Sequence, residues 1–251
     1  MQQDILKAAT LITKSRFTTA YTGAGISVES GIPPFRGENG LWSKYDPQIL
    51  DLDYFYKNPL KSWKVIKEIF YDYFGQAKPN KAHLALAEME RRNLIARTIT
   101  QNIDYLHQEA GSRIVYEFHG NCQTLYCLSC CTKYKALEIS LEHLPPTCRC
   151  GGILKPGFVF FGEDIPQLPL LAAYEAASLS EVFLIIGTTG EVMPANQIPF
   201  MAKSNGATII EVNTKESNYT DKITDIFLKG KAAGVMEKLS SALFSATLDN
   251  D

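Results

Sequence analysis

Tyr21-Thr-Gly-Ala-Gly-Ile-Ser-Val-Glu-Ser-Gly-Ile-Pro33 decides how this chain is read, because its glycine turn stands directly after the short apolar run Phe17–Tyr21. A glycine turn at a strand end exposes backbone amides to an anion. Gly23 and Gly25 permit positive φ and close backbone approach, and the polar residues after them can open a helix whose first amides attract a pyrophosphate. The dehydrogenase pattern Gly-x-Gly-x-x-Gly is absent: counted from Gly23 it requires glycine at Val28, and no strand-ending acid follows at the distance that holds a ribose. The stretch is a dinucleotide loop of another kind.

Upstream, Ile5, Leu6, Ala9 and Ile12 fall at helical spacing within Asp4–Ser15, so the order is helix, strand, phosphate loop. Downstream, Pro33–Gly40 is turn-rich and fits a mobile flap over a ligand. Leu41–Phe74, aromatic and lysine-rich with breaks at Pro47 and Pro59 and a helical run Leu60–Tyr73, reads as a small helical module. Its aromatic stretches Tyr54–Tyr56 and Phe70–Phe74 are expected to form that module's core. Pro79-Asn80 opens a helix through Arg92, strand Ile95–Thr100 ends in Gln101-Asn102-Ile103-Asp104, helix Tyr105–Ala110 stops at Gly111, and strand Ile114–Phe118 delivers His119-Gly120-Asn121.

A cysteine segment then interrupts the alternation. After it come Gly157–Phe161, a helix near Leu168–Ser178, and strand Val182–Ile186 ending at Gly187-Thr188-Thr189. A helix near Ala195–Ser204, strand Ala207–Val212 closed by Asn213, strand Ile226–Leu228 before Gly230-Lys231-Ala232, and a terminal helix through Leu243 complete the chain, with a frayed tail expected over Thr247–Asp251. Alternating strands and helices predict an α/β fold with a parallel sheet, whose ligands bind at the carboxyl ends of the strands, where the polar clusters fall.

At 251 residues the chain suffices for one large domain, with or without a small insert. A net charge of −2 and a pI near 6.1 disfavour nucleic-acid binding as the main activity. No apolar run has membrane-spanning length and the N-terminus lacks the layout of a secretion signal, so no membrane association is expected and the expected compartment is the cytoplasm. A monomer is the expected state.

All six cysteines lie between Cys122 and Cys150, which in a reducing compartment favours metal ligation over disulfides. Cys127-Leu-Ser-Cys130 and Cys148-Arg-Cys150 form two tight pairs 17 residues apart, and Gly151-Gly152 follows the second. That pattern is similar to a zinc ribbon, with both thiolates of each pair converging on one tetrahedral ion. Cys131 can substitute for Cys130, and Cys122 reads as a small buried filler. Four thiolates leave no open position for water, so the site is structural.

Of the four histidines, at 83, 107, 119 and 143, His119 is the candidate base, since it sits at a strand end between Phe118 and Gly120. His83 and His107 read as packing or helix-end residues. Asn102 and Asp104 alternate, so an extended backbone points both to one side, where amide and carboxylate can hold a carboxamide or a water; Asp104 is equally a helix cap before Tyr105. Phe35 and Arg36 carry the same double reading.

Taken together, Gly-Ala-Gly-Ile-Ser-x-x-Ser-Gly-Ile-Pro-x-Phe-Arg-Gly, Thr-Gln-Asn-Ile-Asp, Phe-His-Gly-Asn, the cysteine pairs and Phe161-Gly-Glu163 resemble the sirtuins, in the family's order and over nearly the whole chain. The resemblance implies an NAD-dependent protein-lysine deacylase: a Rossmann-like domain (residues 1–37, 76–121 and 156–251) with a small domain made of a helical module (38–75) and a zinc module (122–155). It implies NAD and one structural zinc ion, and an acyl-lysine protein or peptide as partner. Gly23, Ala24, Gly25 and Ile26 would contact the pyrophosphate, Phe35 and Arg36 would lie in a mobile loop over the nicotinamide ribose, and Gln101, Asn102, Ile103 and Asp104 would line the ribose and nicotinamide pocket. Gly187, Thr188, Thr189, Asn213 and Ala232 would hold the adenosine half, and Val159, Phe160, Phe161, Gly162 and Glu163 would offer backbone to an extended substrate.

The implied chemistry has the acyl oxygen attack ribose C1' as nicotinamide leaves. His119 then acts as general base on a ribose hydroxyl, Asn102 and Asp104 complete the catalytic set, and the acyl group ends on ADP-ribose. Gly187-Thr188-Thr189-Gly190-Glu191 stands where sirtuins usually carry Gly-Thr-Ser followed by an apolar residue, placing a carboxylate near the cofactor side, while Tyr105 replaces a frequent glycine and Pro34 a more polar residue. The positions that carry Tyr and Arg in the desuccinylating branch, counted from Trp63, are Ile66 and Ile69. Rival readings are a protein ADP-ribosyltransferase, which shares the C1' chemistry, and a non-catalytic NAD or ADP-ribose sensor, which needs no base.

Overall fold

Six parallel strands form the main sheet, in the order β3-β2-β1-β7-β8-β9: β1 (Thr18–Thr22), β2 (Arg97–Thr100), β3 (Val115–Glu117), β7 (Val182–Ile186), β8 (Thr208–Asn213) and β9 (Ile226–Lys229). The computed structural model describes residues 1–37 and 40–248. Glu38 and Asn39, which belong to the expected flap and are the first two residues of the expected helical module, and the last three residues of the expected frayed tail lie outside the described residues.

Strand period dictates the two faces. Ala20, Leu184, Ile186, Ile210 and Val212 point to one side, into a core shared with α1 (Gln2–Lys14), α4 (Lys81–Arg91) and α8 (Ala232–Leu248). Tyr21, Ile99, Phe183, Ile185 and Ile209 point to the other, against α6 (Gln167–Leu179) and α7 (Gln197–Ser204). Both faces are covered, which is why β7 reads Val-Phe-Leu-Ile-Ile without alternation. From β1 the chain winds outward to β2 and β3, and from β7 it winds the opposite way to β8 and β9. The switch point between β1 and β7 therefore opens a crevice at their carboxyl ends.

The segment after β1 is a tight 3₁₀ helix, Ala24–Ser30, rather than an α-helix. Asn80, which caps α4 by accepting from the Ala82 amide (2.9 Å), also donates to Ile26 O (2.7 Å) and Ser30 Oγ (2.9 Å), fastening α4 to that turn. The expected helix at Tyr105–Ala110 is a single turn, α5 (Leu106–Glu109), and Tyr105 before it takes φ +67°, a left-handed conformation that explains why glycine suits this position.

A second, antiparallel sheet holds β5 (Lys133–Lys135), β4 (Gly120–Cys127) and β6 (Leu154–Phe158), in that order. Gly157–Phe161 is thus not a strand of the main sheet; β6 ends at Phe158, and Gly120 pairs with it across the small sheet. The helical segment contributes α2 (Leu52–Lys57) and α3 (Pro59–Ile66), which widens into a π-helical turn over Lys67–Tyr73. Phe55, Trp63, Ile66, Ile69 and Phe70 share one core with Leu125, Cys127, Cys148, Leu154, Phe158 and Phe160, so the two inserts fold as one lobe. Buried Trp63 donates its indole N–H to Leu154 O (2.8 Å) and Tyr71 its hydroxyl to Cys122 O (3.1 Å). Cys122 is a buried core residue of this lobe.

Cys127, Cys130, Cys148 and Cys150 bring four sulfurs within 4.8 Å of one another. The separations Cys127–Cys150 (3.5 Å), Cys130–Cys148 (3.6 Å) and Cys130–Cys150 (3.4 Å) approach the ~3.8 Å edge of a tetrahedron with ~2.3 Å zinc–sulfur bonds. The amides of Ser129 and Cys130 point at Cys127 Sγ (3.4 Å each), the pattern a thiolate prefers. Cys131 is outside the cluster: its φ of +59° turns the chain away, and it is exposed. The donor set fits one structural zinc ion. One zinc per chain is expected by metal analysis, lost in Cys130→Ser and retained in Cys131→Ser; because such ions contribute roughly 10–16 kcal/mol to folding, chelation should abolish the near-ultraviolet signal of the Trp63 environment.

Candidate functional site

The loops leaving β1 and β7 meet backbone to backbone. Gly23 N–H donates to Ile186 O (3.0 Å) and Gly25 N–H to Gly187 O (2.8 Å). A Cβ on Gly25 would stand 2.7 Å from Gly187 Cα, and one on Gly23 would stand 2.7 Å from Thr188 Cβ. Neither glycine uses positive φ; that conformation falls on Gly187 (φ +63°) and Gly190 (φ +73°) after β7 and on Gly31 (φ +90°), which ends the 3₁₀ turn. The absent side chains at 23 and 25 therefore let two loops pack at the switch point, and the resulting cleft measures about 960 Å³.

Of the residues expected to bind a dinucleotide, Gly23, Ala24, Gly25, Phe35, Arg36, Gln101, Asn102, Ile103, Gly187, Thr188, Thr189, Asn213 and Ala232 line this one cleft. Ile26 does not: its side chain is fully buried in the core behind the loop. Thr188 is held by Gln101 Nε2 to its hydroxyl (3.1 Å) and Asn213 Nδ2 to its carbonyl (3.0 Å), which ties β2, β7 and β8 together at their carboxyl ends. Phe35 leans on the small lobe, 5.4 Å from Trp42 and 6.4 Å from Phe70 between ring centroids. Glu191 is exposed and off the cleft wall, while Val192, Met193 and Pro194 line it.

His119 lines the same cleft. Its Nδ1 lies 3.0 Å from Gln101 O, and because a carbonyl only accepts, Nδ1 carries the proton and Nε2 keeps its lone pair. Burial lowers the His119 pKa below the ordinary histidine value, with the Gln101 carbonyl opposing, so the ring is neutral at pH 7. Gly120 makes the turn beside it possible, at φ +71°, where a Cβ would collide with Gly157 O.

Asn102 and Asp104 do share a side, and Ser27 is what they share. The buried Ser27 hydroxyl donates to Asp104 Oδ2 (2.6 Å) and accepts from Asn102 Nδ2 (3.2 Å), which also reaches Gly23 O (3.2 Å). Asp104 Oδ1 meanwhile accepts from the Leu106 amide (3.0 Å), the bond its capping reading expects. Burial pushes the Asp104 carboxyl up, opposed by the Ser27 and Leu106 hydrogen bonds. Asp104 stands behind the cleft wall and Asn102 on it. Sequence reasoning passed over Ser27, whose only signal is its place two residues beyond Gly25. Behind it His83 and His107 are buried edge to face, 5.0 Å apart, and burial depresses both pKa values, that of His83 to about 4.

The edge expected to take substrate is open at only some of its backbone groups. Val159 N–H donates to His119 O (2.9 Å), Phe161 donates to Leu50 O (2.8 Å) and accepts from Leu52 N–H (3.0 Å), and Glu163 N–H reaches Phe160 O (3.1 Å). Val159 O and both backbone groups of Gly162 stay open among the described residues. Glu163 braces the edge through its side chain, accepting from Phe160 N–H (2.8 Å) and pairing with the buried Lys155 ammonium (2.9 Å), which also donates to Phe158 O (2.8 Å). Burial lowers the Lys155 pKa and Glu163 opposes it. Phe160 and Phe161 present their side chains to the same cleft.

A cleft near the upper end of the ~300–1,000 Å³ ligand range, with glycine loops at its floor, suits a dinucleotide together with an inserted side chain. Comparison with known proteins agrees with that geometry. The Sir2 family model matches residues 23–194. The NAD-dependent protein deacetylase 1 of Pyrobaculum aerophilum is 43% identical over 240 residues, 94% of each chain, and the NAD-dependent protein deacylase of Thermococcus sibiricus is 42% identical over 243 residues, again 94% of each. Among solved structures, a mutant Sir2 homologue complexed with ADP-ribose superposes with a TM-score of 0.92 at 39% identity over 98% of both chains. A Sir2 complex with p53 peptide and NAD⁺ gives 0.87 at 35% identity, over 94% of this chain and 96% of that one. With a family model laid across the glycine loop, the candidate base and the cysteine cluster, and relatives alike from end to end, the chain belongs to the Sir2 family.

Proposed function

We infer that the protein is an NAD-dependent protein-lysine deacylase, and that His119 is its general base. The observation that carries this is the state of the imidazole: neutral by burial, its Nδ1 tied to Gln101 O, its Nε2 without a partner among the described residues, in a cleft that joins the glycine loops to the Val159–Glu163 edge. A binding module has no use for a base so poised.

NAD, when bound, supplies the ribose C1' that an acyl-lysine oxygen can attack as nicotinamide departs. The protein's share is positional and electrostatic. Gly23, Ala24 and Gly25 admit the pyrophosphate against backbone, Thr188, Thr189, Asn213 and Ala232 receive the adenosine half, and Phe35 and Arg36 cover the ribose from the flap. Asn102, its amide fixed by Ser27 and Gly23, faces the carboxamide side with Ile103, and Asp104 anchors Ser27 from behind. His119 Nε2 accepts the proton of a ribose hydroxyl, which frees that oxygen to take the acyl group. The acylated peptide runs along the open groups of Val159 and Gly162, and the lysine enters past Phe158, Phe160 and Leu50, an apolar wall. Ile66 and Ile69 are buried in the small-lobe core, and among the described residues the cleft's Lys and Arg side chains are Arg36 with Lys215 and Lys231, which flank the proposed adenosine end.

His119→Ala should lower deacetylation of an acetyl-lysine peptide by ~10²–10⁴-fold while ADP-ribose still binds by calorimetry; near-normal turnover would remove the base assignment. Because burial lowers the His119 pKa, kcat/KM of the wild type should stay level through neutral pH and fall only below the ordinary histidine value near 6.5, an acid limb missing from the variant's residual rate. Peptides carrying neutral acyl groups should surpass a succinylated one by about tenfold or more in kcat/KM; the reverse order would contradict the apolar wall. Following nicotinamide release and peptide mass together separates deacylation from ADP-ribosyl transfer, which would release nicotinamide without deacylating the peptide.

A further inference from the structure

One buried carboxylate has no part in the chemistry above. Glu211, in the middle of β8, is fully buried on the face packed with Tyr219 and Ile223, and among the described residues it has no cationic partner. Three hydroxyls serve instead. Ser217 Oγ donates to its Oε1 (2.6 Å), and Thr220 Oγ1 (3.0 Å) and Thr224 Oγ1 (2.7 Å) donate to its Oε2. All three belong to residues 214–225, a stretch with neither helix nor strand between β8 and β9. Those donors stand in for the water that a side chain this deep has lost, and removing the acceptor would leave three half-buried hydroxyls to find new ones.

The stretch that Glu211 gathers reaches the cofactor cleft at two places. Its first residues, Thr214, Lys215 and Glu216, line the cleft directly beside Asn213. Further on, Asn218 fastens the neighbouring loop: its N–H donates to Thr189 O (3.0 Å) and its side-chain amide to Gly190 O (3.1 Å). Gly190 lies so close to the Tyr219 ring that a Cβ there would stand 2.8 Å from it. Beside the direct Asn213–Thr188 bond, Thr188–Gly190 and Asn213–Glu216 are thus joined by a segment whose three hydroxyls converge on one acid. We propose that Glu211 is a positioning residue for the adenosine half of the dinucleotide, acting through Ser217, Thr220 and Thr224 to hold the two loops that receive it.

This inference rests on the dinucleotide reading, and the experiment separates the two. ADP-ribose binding is measured by calorimetry, and steady-state KM is measured for NAD and for acetyl-lysine peptide. Wild-type protein that fails to bind ADP-ribose would defeat the functional reading itself. Given wild-type binding, Glu211→Met, which fills the space without an acceptor, should raise the ADP-ribose Kd and the KM for NAD by about tenfold, with peptide KM and the kcat at saturating NAD retained. Glu211→Gln, which keeps one acceptor oxygen, should recover part of that loss. A merely structural role would lower kcat with the folded fraction and leave both constants unmoved. Should Glu211→Met not fold, Thr224→Val, which deletes one donor at constant shape, should raise the ADP-ribose Kd by about threefold. An ADP-ribose Kd within the error of the wild-type value in the folded variant, or an equal rise in peptide KM, overturns the proposal.

Discussion

The contact on which the rest of the molecule depends is the meeting of two backbones at the switch point, Gly23–Gly25 against Gly187–Thr188. No side chain fits between them. Because the two loops leave neighbouring parallel strands, their hydrogen bonds to each other continue the sheet's own ladder past its end, and the crevice floor is as rigid as the sheet. Every functional group is placed relative to that floor. Asn102 is pinned to Gly23 O, Gln101 to Thr188, Asn213 to Thr188 O, and His119 to the carbonyl of Gln101. A chain of short polar links thus carries the geometry of β1 and β7 outward to the reacting end and to the adenosine end.

Burial does the electrostatic work. Three titratable groups at the reacting end are withdrawn from water and answered by hydrogen bonds: Asp104 by Ser27 and a backbone amide, Lys155 by Glu163 and two carbonyls, His119 by one carbonyl. For His119 the result is a neutral ring at neutral pH, the form that can accept a proton. For Lys155 the result is mechanical, since its ammonium bridges β6 to the Phe160–Glu163 turn and fixes the direction in which that edge faces.

Much of this was legible in the residues, and the failures have physical causes. Val182–Ile186 is found to the residue because an unbroken apolar run bounded by Glu181 and Gly187 admits one strand. The zinc ligands were legible in type but not in the choice between Cys130 and Cys131, because adjacent cysteines differ only in the backbone turn that aims them, and φ +59° at Cys131 leaves no trace in composition. The glycines at 23 and 25 were read as freeing φ and admitting a ligand; their first service is to another loop, a long-range contact that local sequence does not encode. Ser27 was missed for the same reason: its partners lie at 102 and 104, and only the fold brings them to it. The carboxylate at Glu191 looked cofactor-facing because the motif it interrupts is; the turn at Gly190, φ +73°, carries the chain off the wall at Glu191, and it returns at Val192.

Phe161 exchanges two backbone bonds with Leu50 and Leu52, so the edge offered to peptide is stitched to the helical insert on one side and grows out of the cysteine-bearing sheet on the other. The groove proposed for the polypeptide is therefore the property of the smaller lobe, while the floor proposed for the dinucleotide is the property of the larger one, with Phe35 leaning on the first and lining the cleft of the second. In the proposed reaction the separation of acyl oxygen and ribose is then set by how the two lobes meet, and not by either binding surface alone.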